Sequence, residues 1–132
     1  MNGVSQGRKR RGRGEYRFRW DAVPFAAGEV SVKTWKDGRP WAEDRRVTAG
    51  PFHHFEWTDD AWGGKFVFRT VRAVDEAGVL VPDAAVEVDV PPPAGCEVFG
   101  TCNGDASDFR SLRSKSVKTF SGMALVVYCR GV

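Results

Sequence analysis

The chain has 132 residues, of which 42% are hydrophobic and 12% aromatic, enough to bury the core of one domain, or of one small domain and part of a second. Its formal net charge of +3 is modest, and its three cysteines form no CxxC pair, which argues against a complete disulfide framework and against a zinc knuckle. No apolar run of about 18 residues occurs and no apolar stretch follows the N-terminal charges, so the sequence predicts neither a membrane partner nor a signal peptide.

Positive charge is concentrated at the start of the chain. The basic residues there are Arg8, Lys9, Arg10, Arg11, Arg13, Arg17 and Arg19. Such a cluster is typical of a nucleic-acid-binding patch, but also of one face of a solvated hairpin. At this point both interpretations stay open.

Hydrophobic periodicity predicts strands along most of the chain. In residues 15–20, aromatic residues alternate with arginines, the period-2 pattern of a half-buried strand with Trp20 in the core. The further predicted strands are residues 29–35, 41–48, 52–57, 65–74, 86–90, 97–100, 116–120 and 123–129. No segment predicts an amphipathic helix of ten or more residues. Many short strands at close spacing predict an all-β sandwich or barrel.

Turn signals separate these strands. Glycine or asparagine can adopt a positive φ at little cost in the turns Asn2-Gly3, Lys36-Asp37-Gly38, Gly63-Gly64, Glu76-Ala77-Gly78, Asn103-Gly104-Asp105 and Ser121-Gly122. The three prolines at 91–93 cannot continue a central strand and predict a crossing between strands or sheets. Residues 48–51, Thr-Ala-Gly-Pro, predict a hinge between domains 1–50 and 51–132.

Charged and histidine pairs offer little support for catalysis or metal binding. The adjacent carboxylates at 43–44, 59–60 and 75–76 are expected on opposite strand faces or in water-facing turns, so no desolvated acid–base pair is predicted. His53 and His54 are expected to diverge on a strand rather than to chelate one metal ion. The residues therefore predict no catalytic site and no metal site.

The best candidates for contact with a sugar or with another domain are a tryptophan and the turn at 103–105. Trp35 and Trp41 are predicted as cross-strand neighbours that shield a hairpin. Trp62 precedes two glycines in a predicted loop, so it is a candidate contact with sugar or with another domain. Asn103 and Asp105 form a turn that either points towards a ligand or neighbouring domain, or simply caps backbone amides.

Several motifs resemble, in order, the C-terminal region of bacterial glycoside hydrolase family 2 enzymes, the β-galactosidase group. Residues 23–50 contain Val-Pro-Phe, Lys-Asp-Gly and Thr-Ala-Gly, as the end of an immunoglobulin-like domain of that family does. The opening Asn-Gly-x-Ser-x-Gly-x-Lys resembles a hairpin of the same domain, whose preceding strand is absent here. Residues 1–22 are therefore expected to be poorly protected from hydrogen exchange.

The rest of the chain resembles the family's next, C-terminal immunoglobulin-like domain. The segments that carry this resemblance are VDEAGVLVPDA at 74–84, CNGD at 102–105 and FSGMALVV at 120–127. Cys102 replaces the usual glycine and Arg69 the usual apolar residue. The resemblance predicts an immunoglobulin-like antiparallel β-sandwich, residues 51–132, preceded by an incomplete part of a second β-sandwich, residues 1–50.

The resemblance implies a supporting role rather than hydrolysis. Family 2 enzymes are retaining glycosidases, whose two glutamates stand about 5 Å apart in a barrel that precedes these domains. The resemblance therefore assigns no catalytic residue and no cofactor to this chain, and other domains of a parent glycosidase are the implied partners. An autonomous carbohydrate-binding module and, more weakly, a basic nucleic-acid-binding protein remain the alternatives.

Overall fold

A computed structural model describes residues 1–60 and 64–131, which contain eight β-strands. The strands are β1 Glu29–Lys36, β2 Arg39–Val47, β3 His54–Asp60, β4 Phe66–Val74, β5 Glu87–Asp89, β6 Cys96–Cys102, β7 Ser116–Lys118 and β8 Met123–Arg130. All their pairings are antiparallel. These residues contain no helix, and so none of the length and apolarity that a membrane crossing requires. The predicted all-β fold is confirmed.

The chain divides into two compact units, Met1–Thr48 and Ala49–Val132. In the first unit, β1 and β2 form a hairpin with a bulge between Thr34 and Trp35. Every residue of β2 is exposed, so this hairpin buries little apolar surface of its own. Asn2 fastens the start of the chain to this hairpin, because its side chain accepts the Glu29 N–H at 2.7 Å and donates to the Ala27 carbonyl at 2.9 Å.

The predicted strand at 15–20 is wrong. These residues take no regular structure, and Tyr16 and Phe18 are exposed. Trp20 is only half-buried, and its buried Nε1 has no hydrogen-bond partner among the described residues. Alternating residues give a strand one apolar and one polar face, but a strand also needs a second strand to hydrogen-bond with. None of the strands above pairs with residues 15–20.

The second unit consists of two sheets. The larger has the strand order β3-β4-β8-β6, and the smaller pairs β5 with β7. Val71, Val126 and Tyr128 of the larger sheet belong to one buried cluster with Val88 and Val117 of the smaller. Full burial of such side chains stabilises a fold by about 1.5–3 kcal/mol each. This is the predicted antiparallel β-sandwich, although its smaller sheet has only three residues per strand instead of the predicted five.

Connections between the strands follow the predicted turn chemistry. The prolines at 91–93 lie between β5 of the smaller sheet and β6 of the larger, so the predicted crossing between sheets is confirmed. Ser121 and Gly122 have φ values of 51° and 73° in the tight turn before β8. A methyl group on Gly122 would overlap the carbonyl oxygen of Val81, so this position needs glycine for space as well as for φ.

Candidate functional site

The loop between β6 and β7, residues 103–115, contains two of the candidate contact residues. It borders a pocket of about 270 Å³ whose lining includes Asn103 and Asp105. Trp62, the third candidate, lies outside the described residues. The structure thus brings Asn103 and Asp105 together.

Asn103 organises the first half of this loop. Its Nδ2 donates to the Lys118 carbonyl and to Asp108 Oδ2, both at 2.9 Å, and its Oδ1 accepts the Asp105 N–H at 3.0 Å. Asp105 in turn accepts the Ser107 hydroxyl at 2.7 Å and the Ser107 N–H at 2.9 Å. These two Ser107 donors hold the pKa of Asp105 below its ordinary value of 3.8. The turn therefore caps backbone amides and ties the loop to the end of β7.

Arg110 fastens the second half of the loop. Its Nη1 donates to both carboxylate oxygens of Glu87 on β5, at 2.7 and 2.8 Å, and its Nε donates to Asp108 Oδ1 at 3.2 Å. The Arg110 guanidinium lowers the pKa of Glu87, while the Arg110 backbone N–H is the main cause that lowers the pKa of Asp108. Each carboxylate of this loop is therefore already bonded within the domain.

Two apolar side chains of this loop are exposed. Phe109, between Asp108 and Arg110, is 94% exposed, and Leu112 is exposed as well. An exposed phenylalanine held on a hydrogen-bonded loop is suited to packing against another apolar surface. Sequence reasoning did not single out Phe109. Its signal was a lone aromatic residue in the polar run Ser-Asp-Phe-Arg-Ser at 107–111.

The expectation that the carboxylates in turns face water is wrong for Asp75. Asp75 is only 7% exposed and accepts three backbone N–H groups, from Gly50 at 2.8 Å, Ala77 at 2.9 Å and Val79 at 2.8 Å. The hydrogen bond from the Gly50 N–H is the main cause that lowers the pKa of Asp75. Asp75 is a structural group that closes the turn after β4 and holds the segment that precedes β3.

The expectation that His53 and His54 diverge is also wrong. Their Nδ1 atoms lie 3.0 Å apart and the rings meet edge to face, because His53 precedes the regular part of β3. Among residues 1–60 and 64–131, no three His, Cys, Asp or Glu side chains gather into a metal-binding group.

Arg69, which replaces a usual apolar residue of the resembled family, has a partner in the sandwich. Its guanidinium forms a two-pronged ion pair with Asp59, opposite it on β3. It also lies 5.8 Å from the Trp57 ring and 5.5 Å from the Tyr128 ring. These contacts explain how a cation fits on the core-facing side of β4.

In the first unit, Trp35 and Trp41 are not the cross-strand pair that was predicted. Trp35 is opposite Pro40, and Trp41 is the extra residue of the bulge. Each ring instead makes a cation–π contact. Arg8 Cζ lies 4.9 Å from the Trp35 ring centroid, and Lys36 Nζ lies 4.7 Å from the Trp41 ring centroid. The bulge therefore separates the two rings that regular pairing would have brought together.

Two family models match this chain. Residues 58–129 match the model described as glycoside hydrolase family 2 C-terminal domain 5, and residues 1–42 match a domain of unknown function, DUF4982. Among curated proteins, beta-galactosidase BoGH2A of Bacteroides ovatus is 33% identical, over 96% of this chain and 15% of that enzyme. The chain therefore spans about a seventh of this relative.

Solved structures share the fold. A glycosyl hydrolase family 2 member from Bacteroides cellulosilyticus superposes with a TM-score of 0.75 at 23% identity, over 83% of this chain and 16% of that one. A beta-glycosidase from Bacteroides vulgatus gives a TM-score of 0.73 at 19% identity, over 83% of this chain and 15% of that one.

Proposed function

The chain belongs to glycoside hydrolase family 2 C-terminal domain 5, and from this we propose that it is a non-catalytic accessory β-sandwich region of a β-galactosidase-like glycosidase. Its resemblance is to a C-terminal part of these enzymes and not to their catalytic barrel. Since the two glutamates of family 2 hydrolysis belong to that barrel, the contribution of this chain is support of neighbouring domains.

We assign the two units of the chain to two domains of such an enzyme. Residues 1–50 are the C-terminal part of one immunoglobulin-like domain, and residues 51–132 are the C-terminal immunoglobulin-like domain. The division of the structure at Thr48 supports this assignment, as do the separate family matches over 1–42 and 58–129.

The loop at 103–115 is the proposed contact with another domain of the enzyme. The observation that carries this proposal is that Asn103, Asp108 and Arg110 bond within the domain while Phe109 remains 94% exposed. Asn103 and Asp105 act as positioning residues, because their hydrogen bonds hold the loop that presents Phe109. A sugar hydroxyl would have to displace these internal bonds, and for this reason we favour a domain contact over a carbohydrate contact at this loop.

A chimeric enzyme tests this function. In it, the 132 residues replace the aligned segment of the Bacteroides ovatus β-galactosidase, and it is compared with the same enzyme lacking that segment. We expect the truncated enzyme to lose thermal stability and galactoside hydrolysis, and the chimera to regain both. Phe109→Asp in the chimera should reduce the regained thermal stability, since it places a charge in an apolar contact.

Two results would overturn the proposal. One is a truncated enzyme as stable and active as the intact enzyme, which would leave the segment without a supporting role. The other is a chimera that regains nothing. Arg113→Ala serves as the matched control in the same loop, because it makes the same change in net charge at an exposed side chain.

A further inference from the structure

The outer face of the four-stranded sheet, turned away from β5 and β7, is apolar at its centre. Cross-strand partners share a face, so the pairings Phe66 with Cys129, Phe68 with Val127 and Thr70 with Leu125 place these side chains on one surface. They are on the face opposite to Val71, Val126 and Tyr128, which alternate with them along β4 and β8. We call Phe66, Phe68, Phe99, Met123, Leu125, Val127 and Cys129 the outer apolar face.

Aromatic rings extend this surface towards the edge of the sheet. The Phe99 ring, at a bulge in β6, contacts the Phe66 ring with centroids 4.9 Å apart. Phe99 is 53% exposed and Phe66 is 37% exposed, and the central side chains Phe68, Leu125 and Val127 are half-buried. None of the seven belongs to the two core clusters of the sandwich.

An antiparallel sheet with one face in water shows apolar residues on one side and polar residues on the other. In β8, both faces are apolar from Met123 to Cys129, as in a strand that is covered on both sides. Charged groups lie at the ends of this surface, with the Glu56–Arg72 ion pair at 3.0 Å at one end and Glu97 at the other. An apolar centre with a polar rim is the usual anatomy of a protein interface.

We propose that the outer apolar face docks a neighbouring domain of the same family 2 polypeptide, which presents an apolar surface to it. This inference rests on the proposed function. In the relatives described above, the aligned region is only 15–16% of the chain, so most of the polypeptide is tethered to it. A tether of suitable length gives an effective concentration in the millimolar range, far above that of a second free copy. The tethered domain is therefore the favoured occupant.

The test uses Phe66→Glu/Phe99→Glu, made both in the isolated 132-residue chain and in the chimera. The two rings are partly exposed, so we expect the isolated variant to keep its circular dichroism spectrum and to lose only the contact between these rings. In the chimera, the same double substitution should lower the unfolding midpoint by at least about 3 °C more than in the isolated chain, because it also places two charges in an apolar contact with the neighbouring domain. Phe25→Glu, at a residue that is 84% exposed and outside the sheet, is the matched control.

The remaining outcomes contradict the inference. Equal losses in the isolated chain and the chimera would mean that the face stabilises only its own domain, and no loss in either would mean that nothing docks there. An isolated chain that is dimeric by light scattering, becomes monomeric with the double substitution, and shows no effect in the chimera would assign the face to a second copy. If the unsubstituted chimera regains neither thermal stability nor hydrolysis, the proposed function is overturned as well. If it regains both, and the double substitution leaves its unfolding midpoint unchanged, this inference alone is overturned.

Discussion

Asp75 shows what one buried carboxylate contributes to this fold. Its three backbone donors come from the residues that precede β3 and from the turn that follows β4, so one side chain joins two segments that are distant in sequence. Asparagine at this position keeps the shape but supplies one acceptor oxygen and no charge. Asp75→Asn should therefore leave at least one buried N–H without its acceptor and lower the free energy of unfolding at neutral pH.

The stability that Asp75 contributes should decrease as the pH is lowered. Because the pKa of Asp75 is lowered in the fold, its stabilisation is fully present above the ordinary value of 3.8 and is lost as the pH falls through the folded value. Urea unfolding measured between pH 3 and pH 7 should show a shallower decline for Asp75→Asn than for the unsubstituted chain, at about the pH where carboxylates titrate. Parallel declines would contradict the role given to this carboxylate.

For single residues, the sequence predicted the contacts that depend on the local backbone, but not those that depend on residues distant in sequence. One of the two interpretations of the turn at Asn103 and Asp105, on local grounds, was that it caps backbone amides, and Asp105 does accept the Ser107 N–H. The burial of Asp75 depends on Gly50, 25 residues away, which no local pattern reveals. Arg69 was noticed only as an unusual residue, since its partner Asp59 is set by the β3–β4 register.

The turn before β8 carries a prediction at the scale of an element. Gly122→Ala combines a positive φ with an overlap against the Val81 backbone, and we expect it to cost at least about 3 kcal/mol of unfolding free energy. Gly104→Ala has a similar φ of 79° but open space around the new methyl group, so it should cost only about 1–2 kcal/mol. Denaturant unfolding of the two variants side by side measures the difference, and equal costs would mean that the Val81 contact adds nothing.

Strands were predictable where the chain supplies their partner. The residues of β1, β2, β4 and β8 were predicted as strands, and each has a neighbour with which it forms a ladder. Residues 15–20 alternate clearly, yet they pair with none of the eight strands. Strand formation is a property of pairs, so a single-segment pattern cannot settle it. The short β5 and β7 were overestimated for a related reason, because the prolines at 91–93 and the turn at Ser121 limit their length.

At the scale of the whole molecule, two surfaces are proposed to contact neighbouring domains: the loop that presents Phe109 and the outer apolar face of the larger sheet. Both expose apolar side chains, and ion pairs lie beside each of them, Arg72 with Glu56 and Arg110 with Glu87. Membership in the family 2 C-terminal domain gives these surfaces a context, since such domains are a small share of much longer glycosidases. Sequence motifs indicated that membership, whereas the two surfaces became visible only with the strand register and side-chain exposure.

We infer that this chain supports catalysis in other domains and does not hydrolyse glycosides itself. The most direct measurement is hydrolysis of a chromogenic galactoside by the purified 132-residue chain, prepared from a host that lacks its own β-galactosidase. We predict a rate equal to that of buffer alone at every chain concentration. A rate that increases in proportion to chain concentration, and follows the chain through a final gel-filtration column, would contradict the claim.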